Sequence, residues 1–359
     1  MKIVIYGLTI TSAWGNGHAT TYRSLTKALR KLGHLLVFIE KDAEWYRGNR
    51  DMPEPEFCRV CLYDDWVKEE RSLIQEASDA DAIVIGSYFP DATAVTRALL
   101  WAGYGPLLFY DIDTPITMAQ LRAHGHSEYL DAALIPHYAA YLSFTGGPTL
   151  RELEMRFGSP QAIPFYCSVD PDLYRPQPVR EEYRCDLSYL GTYASDRQPK
   201  LMQLLNGTAS LLPEGRFLVA GAKYPETSEW CPNVRRMIHV SPPDHPSFYS
   251  SSRFTLNLTR DDMVAAGYSP SVRLFEASAC GATILSDDWP GLDQFLTPGK
   301  EILLPRDAKE TADILTRLSD EERVRIGSQA RERILSEHTA MHRAREFEKI
   351  VAHCSASVG

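Results

Sequence analysis

Between Thr255 and Gly299 the chain reads TLNLTRDDMVAAGYSPSVRLFEASACGATILSDDWPGLDQFLTPG, and this stretch collects groups suited to holding an anion. Ser269-Pro270-Ser271 is placed to open a helix that carries Val272, Phe275 and Ala279 on one face and closes at Gly281. Ser suits an N-cap, and Pro suits the first turn, where a missing N–H costs nothing. A helix start at the carboxyl end of a parallel strand offers open amides and the positive dipole end to an anion. The hydroxyls of Ser269 and Ser271 stand there, Arg273 lies within the first turn, and Arg260 sits upstream between a short strand at Thr255–Leu258 and a loop at 261–268. Glu276 follows one turn later, where a carboxylate can accept from the vicinal hydroxyls of a sugar. These groups describe a diphosphate joined to a ribose; the plainer alternative is a capped helix with a surface Arg/Glu pair.

Two further stretches carry chemistry. In the loop Thr9–Thr20, Gly15, Asn16 and Gly17 let backbone approach a ligand, and His18 falls in the first turn of the next helix. The positive helix end there favours the uncharged imidazole that a general base needs. Asp111 and Asp113 leave a strand end two residues apart, so both carboxylates are expected on the same side. Such a pair can supply a base, bind an acceptor or hold a metal. A turn with Asp113 or Thr114 capping a helix at Pro115 explains one aspartate more readily than two. Cys58-x-x-Cys61 has no second pair to complete a zinc site, and Phe57–Tyr63 alternates as a strand does.

Glu276-Ala277-Ser278-Ala279-Cys280-Gly281 resembles the second half of the Glu-x7-Glu, Ala-x-Ala-Cys-Gly segment of GT-B glycosyltransferases, where that glutamate binds the nucleotide ribose. The family's first glutamate corresponds to Tyr268, which removes the donor-sugar contact of a retaining mechanism and leaves the stereochemical outcome open. Gly267-Tyr268-Ser269-Pro270-Ser271-x-Arg273-Leu274-x-Glu276 more closely resembles the spore-maturation (CgeB-like) branch, as do the His18 loop and Phe38-Ile39-Glu40-Lys41-Asp42-x-x-Trp45-Tyr46. The resemblance covers nearly the whole chain. It implies an α/β fold of GT-B type, two Rossmann-like parallel-sheet domains facing an interdomain cleft. It also implies sugar transfer from a nucleoside-diphosphate donor, a UDP-sugar first, without a metal or other cofactor. Asp-x-Asp spacing is similar to that of metal-dependent GT-A enzymes, but its surroundings resemble GT-B, so Asp113 is read as an acceptor ligand or a base rivalling His18.

The elements that must position these residues alternate strand and helix throughout. Lys2–Tyr6, a helix at His18–Lys31 and Leu35–Ile39 make a βαβ start. Glu40 after the second strand would suit a nicotinamide ribose, yet Gly7-Leu8-Thr9-Ile10 lacks the G-x-G-x-x-G phosphate turn. In the second half, strands at Leu187–Leu190, Phe217–Ala220 and Ile238–Val240 precede the opening stretch. Their carboxyl ends bring Gly191, Thr192 and Lys223 towards Arg260, Ser269, Ser271 and Arg273, with Glu276 just behind. The expected domains are 1–168, a Pro- and Asp-rich linker at 169–185, 186–336, and a terminal helix at 337–359 returning to the first.

A chain of 359 residues has material for two cores. Its net charge of −9 offers no general attraction to nucleic acid or anionic membrane. It has no apolar run of about 20 residues, as a membrane span would need. The start directly in a strand and seven scattered cysteines point to a reducing cytoplasm. The expected partners are a nucleotide-sugar donor and an acceptor that is a glycan, a small molecule or a protein. A nucleotide-sugar epimerase and a non-catalytic nucleotide- or glycan-binding protein remain as rivals on the same fold.

Overall fold

Continuous apolar runs such as Ile3-Val4-Ile5-Tyr6 and Ala82-Ile83-Val84-Ile85 are wholly buried, as strands covered on both faces must be. The structure, a computed structural model, describes residues 1–15 and 17–356, so Asn16 lies outside the described residues. The chain divides into two units, residues 1–167 with 340–359, and residues 168–339.

The first unit holds strands β1 (Lys2–Tyr6), β2 (Leu35–Lys41), β3 (Arg59–Tyr63), β4 (Ala82–Gly86), β5 (Leu107–Asp111), β6 (Ala140–Ser143) and β7 (Ala162–Pro164). They form one parallel sheet in the order β3-β2-β1-β4-β5-β6-β7. The order reverses between β1 and β4, so the loops leaving those two strands diverge and open a crevice at their carboxyl ends. The C-terminal helix Ala340–Ala356 belongs to this unit and packs on the helix His18–Lys31. His34 Nε2 lies 2.9 Å from Glu348 Oε1, and Arg343 Nε donates to the Tyr166 carbonyl at 3.1 Å.

The second unit holds β8 (Cys185–Leu190), β9 (Phe217–Ala220), β10 (Val234–Met237), β11 (Ser252–Asn257) and β12 (Thr283–Ser286), in the parallel order β10-β9-β8-β11-β12. Its reversal lies between β8 and β11. The third strand lies upstream of the expected Ile238–Val240, because Val234 through Met237 pair with Phe217 through Ala220. Ile238 is left 73% exposed. The expected loop at 261–268 instead contains a helix, Asp261–Ala266. Asp261 and Asp262 in its first turn complement the dipole, and Asp196 Oδ2 accepts from the Asp261 amide at 3.2 Å. Among the described residues, no helix is long and apolar enough to cross a membrane.

The loop after β1 is tied down from beneath by Glu40, which is completely buried near the end of β2. Its carboxylate accepts from Ile10 N (2.7 Å), Thr11 N (3.1 Å), Thr9 Oγ1 (3.0 Å) and Thr11 Oγ1 (2.5 Å). Arg23 adds a second anchor, donating from Nε to the Ile10 carbonyl and pairing bidentately with Asp51 at 2.7 and 2.8 Å. Both Glu40 oxygens face this loop, and the nicotinamide reading loses the residue that favoured it. Glu40→Gln should put N–H groups against these donors and cost about 2–4 kcal/mol. Hydrogen exchange at the Ile10 and Thr11 amides should accelerate ahead of the β1 and β4 amides; unchanged protection would refute the anchoring role.

Candidate functional site

Each sheet ends in a cluster of polar side chains at its reversal point. In the first unit, Gly7 turns the chain out of β1 beneath Phe38, whose ring leaves no room for a side chain: a Cβ there would lie 2.4 Å from Phe38 Cζ. The loop then runs through Gly15, in the left-handed region at φ 69°, to Gly17 at the N-cap of the helix His18–Lys31. A Cβ on Gly17 would meet nothing within 4 Å, and one on Gly15 only the Trp45 ring edge at 3.9 Å. Among the described residues, this glycine pair thus leaves room beside the helix start.

His18 Nε2 lies 3.9 Å from Asp113 Oδ2. The two expected base candidates are thus neighbours, on the turns after β1 and β5. Asp113 occupies the N-cap of the helix Thr114–His124, but its carboxylate caps no amide of that helix. It accepts instead from the Tyr88 hydroxyl at 3.1 Å. Tyr88 follows β4, and its ring meets the His18 ring edge-on with centroids 5.2 Å apart. Its backbone sits at φ 62°, a conformation that strains a bulky residue and that surrounding structure must impose. His18, Tyr88 and Asp113 form a compact group able to take up a proton. Sequence reasoning missed Tyr88; its only signal was its place just past β4, across the reversal from His18.

Asp111 departs from expectation. It was expected beside Asp113 with its carboxylate facing a ligand, but it is completely buried. Tyr141 donates to Oδ2 at 2.5 Å, Thr117 to Oδ1 at 3.0 Å, and the Asp113 amide to Oδ1 at 3.2 Å. Alternation along a strand holds only while the strand lasts, and the chain turns at Ile112. Asp111 therefore supports the turn that presents Asp113.

In the second unit the central side chain is Arg273, 9% exposed, near the start of the helix Val272–Ala279. Its Nε donates to the Leu190 carbonyl at 2.7 Å, its Nη1 to Asn257 Oδ1 at 2.9 Å, and its guanidinium lies over the Tyr189 ring. Its third nitrogen, Nη2, would stand 2.8 Å from a Cβ on Gly191, so glycine is what lets it reach that position. Ser271 occupies the N-cap, yet its hydroxyl donates to Asn257 Oδ1 at 2.7 Å and does not cap the helix. The helix begins at Val272, which puts Pro270 ahead of it. Asn257, the last residue of β11, thus joins Ser271 and Arg273, and its Nδ2 donates to Ser286 Oγ at 2.9 Å. Sequence reasoning passed over it, although it is the one polar residue closing an apolar strand end.

Gly221 touches Gly191 so closely that a Cβ would fall 1.9 Å from the Gly191 carbonyl oxygen. The exposed Lys223, at φ 68°, follows on this loop, where the Ala222 carbonyl accepts from the Tyr193 amide at 3.0 Å. The Thr192 carbonyl accepts from Arg197 Nη2 at 2.8 Å. Arg260 is paired with Asp196 at 3.3 Å and leads into the helix Asp261–Ala266. Ser269 is buried at 2% exposure. Glu276, 6% exposed, lies one turn beyond Arg273. Gly191, Ser271 and Arg273 thus gather at the end of β8, Lys223 lies on the loop after β9, and Arg260 stands with Asp196. No group of His, Cys, Asp and Glu with metal-holding geometry occurs among the described residues.

Residues 197–349 match a family described as glycosyl transferase-like. Solved structures match over almost the whole chain. Sucrose-phosphate synthase from Thermosynechococcus elongatus aligns with a TM-score of 0.69 and 13% identity, covering 99% of this chain and 100% of that one. HepE of Anabaena, solved with UDP-glucose, aligns with a TM-score of 0.72 and 14% identity over 99% and 100%. An alpha-glucosyltransferase solved with UDP-glucose and DNA containing an abasic site gives 0.70 and 13% over 98% and 99%. The chain has the GT-B fold, two parallel-sheet α/β units. No curated protein sequence matches it significantly. The matched segment contains Lys223, Arg260, Ser269, Ser271, Arg273 and Glu276, whereas His18, Tyr88 and Asp113 lie outside it.

Burial raises the Asp111 carboxyl from 3.8 to about 6, and the neighbouring Asp113 adds to the rise. A carboxyl whose pKa folding has raised contributes stability that is complete below its unfolded value and lost as pH climbs through the folded one. The first unit should therefore lose about 3 kcal/mol between about pH 4 and about pH 6 from this group. Asp111→Asn should flatten that slope in thermal melts across the same window; an unchanged slope would show that Asp111 does not titrate there.

Proposed function

We propose that the chain transfers a sugar from a nucleoside-diphosphate donor, a UDP-sugar first, to an acceptor nucleophile, and that it belongs to the spore-maturation (CgeB-like) branch. The observation that carries this reading is Arg273, whose third nitrogen is brought up to Gly191 while Glu276 lies one turn deeper in the same helix. Arg273 would bind the departing diphosphate, whose charge grows as the glycosidic bond breaks. Lys223 and Arg260 would add positive charge around it, and the hydroxyls of Ser269 and Thr192 would add hydrogen bonds, as would that of Ser271 on turning away from Asn257. Glu276 would accept from the ribose hydroxyls. The UDP and UDP-glucose bound by HepE support uridine as the base.

In the first unit, His18 would take the proton of the acceptor nucleophile, with Asp113 stabilising the imidazolium that forms. Tyr88 would hold Asp113 in place, and the space before Gly15 and Gly17 would admit the acceptor. With Tyr268 where the family's first glutamate stands, no carboxylate at that position contacts the donor sugar. The charge of the leaving group falls to Arg273 and its cationic neighbours, so this reading needs no bound metal.

Thermal stabilisation against UDP, GDP, ADP, TDP, CMP and NAD(H), with and without magnesium, tests the donor class. UDP should raise the melting temperature independently of magnesium, and a shift with NAD(H) alone would overturn the reading. Glu276→Ala should weaken UDP binding by about 10- to 100-fold. His18→Ala should leave UDP affinity near wild type and lower turnover by about 10²–10⁴-fold. Turnover that does not rise with added acceptor would favour an epimerase, and UDP binding with no turnover a binding protein.

A further inference from the structure

Trp45 is a large apolar ring left 51% exposed in the turn that follows β2. It lies in the short helix Glu44–Arg47, and its Cζ2 would stand 3.9 Å from a Cβ on Gly15. Its backbone is fixed by several bonds. Asn49 Nδ2 donates to the Trp45 carbonyl at 3.1 Å, and the Asn49 carbonyl accepts from Ser12 Oγ at 2.7 Å. Arg50 pairs with Asp42 at 2.5 Å and donates to Thr11 Oγ1 at 3.1 Å, and the Met52 amide donates to the Thr11 carbonyl at 3.0 Å. The segment 42–52 is thus fastened to the loop that Glu40 anchors, and an exposed ring on such a base has little freedom to lose on binding.

A second group stands at the same end of the sheet. Asp91 Oδ2 accepts from Lys41 Nζ at 2.9 Å and from the Tyr63 hydroxyl at 2.7 Å. Asp91 is the N-cap of the helix Ala92–Ala102 but caps no amide, and its Oδ1 takes no hydrogen bond among the described residues. These neighbours close a circuit. The His18 ring meets Tyr88, and Tyr88 lies three residues before Asp91. Asp91 holds Lys41, four residues before Trp45. Trp45 borders Gly15, three residues before His18. Each chain link in the circuit spans at most about 10–14 Å, a width suited to a sugar ring.

We propose that the acceptor is a neutral saccharide, the C–H face of one ring stacked on Trp45 and its hydroxyls bonded by Asp91 Oδ1 and Lys41. The inference rests on the reading that His18 takes the acceptor's proton. A sugar ring carries C–H groups on its face and hydroxyls round its rim, which fits an aromatic surface with a few polar groups beside it. An alkyl chain fits badly, because covering Trp45 would bring it against the exposed Glu44 and Arg47. The Lys41–Asp91 pair carries no net charge, so it gives a charged acceptor no advantage.

The test titrates the full-length chain with cellotriose, maltotriose and triacetylchitotriose, read by saturation-transfer NMR, and follows UDP on the same samples by thermal shift. The wild type should bind at least one of the three. Trp45→Ala should weaken that binding about tenfold or more, and Trp45→Phe should hold it within about threefold of wild type. Asp91→Asn, which keeps the shape of the side chain, should weaken it about five- to tenfold. All three variants should keep the wild-type response to UDP, which separates a lost sugar contact from a damaged fold. A wild type that responds to UDP but binds none of the trisaccharides overturns the inference, as does binding that Trp45→Ala leaves unchanged. A wild type that binds a trisaccharide through Trp45 but does not respond to UDP upholds the saccharide site and overturns the transferase reading instead.

Discussion

Where a parallel strand ends, the chain leaves its hydrogen-bond ladder while still close to the core, and its backbone groups must find new partners. In each unit one buried polar side chain organises the point where the strand order reverses, in the first by taking up such backbone groups and in the second by tying side chains together. Glu40 does so in the first, gathering two amides and two hydroxyls of the loop after β1. Asn257 does so in the second, where its carbonyl oxygen accepts from both Ser271 and Arg273. Neither residue stands at the front of its site. Each fixes the loop or helix start that does, so the proposed binding groups can be presented on rigid backbone. Such support holds a site in geometry before a ligand contributes anything.

Much of this was legible in the sequence because the periodicities are strong. Buried strands such as Ala82–Gly86 appear as unbroken apolar runs, and helices such as Asp320–Glu337 as amphipathic ones. The turns at His18, Asp113 and Ser269–Arg273 could be found because strand–helix alternation puts such turns at the carboxyl edge. What escaped was whatever depended on where a side chain turns after its element ends. Asp111 and Asp113 share a spacing, yet one is in the core and the other faces His18, because the chain changes direction at Ile112. Ser271 has the residue type and place of a cap, but a nearer acceptor, Asn257, draws its hydroxyl away. Tyr88 adopts a left-handed conformation that its residue type disfavours, so only tertiary packing could reveal it.

The two sites use buried charge differently. In the second unit Arg273 is nearly buried, but two of its nitrogens already have protein acceptors and its face rests on Tyr189, so much of its desolvation is offset before a ligand binds. An anion meeting Nη2 would therefore meet a guanidinium that has little freedom left to lose. In the first unit the His18–Asp113 pair is framed by the Tyr88 ring and hydroxyl. That difference would fit the proposed binding task in one unit and the proposed proton handling in the other.

The helix Ala340–Ala356 gives the first unit a segment from either side of the second unit in sequence, with residues 168–339 between them. During synthesis, residues 168–339 can close their own sheet while the helix His18–Lys31 still waits for its covering partner. The order of completion is thus the reverse of the order of translation: the unit begun first is sealed last. Emergence of residues 340–356 from the ribosome becomes the event that completes the packing over the helix His18–Lys31.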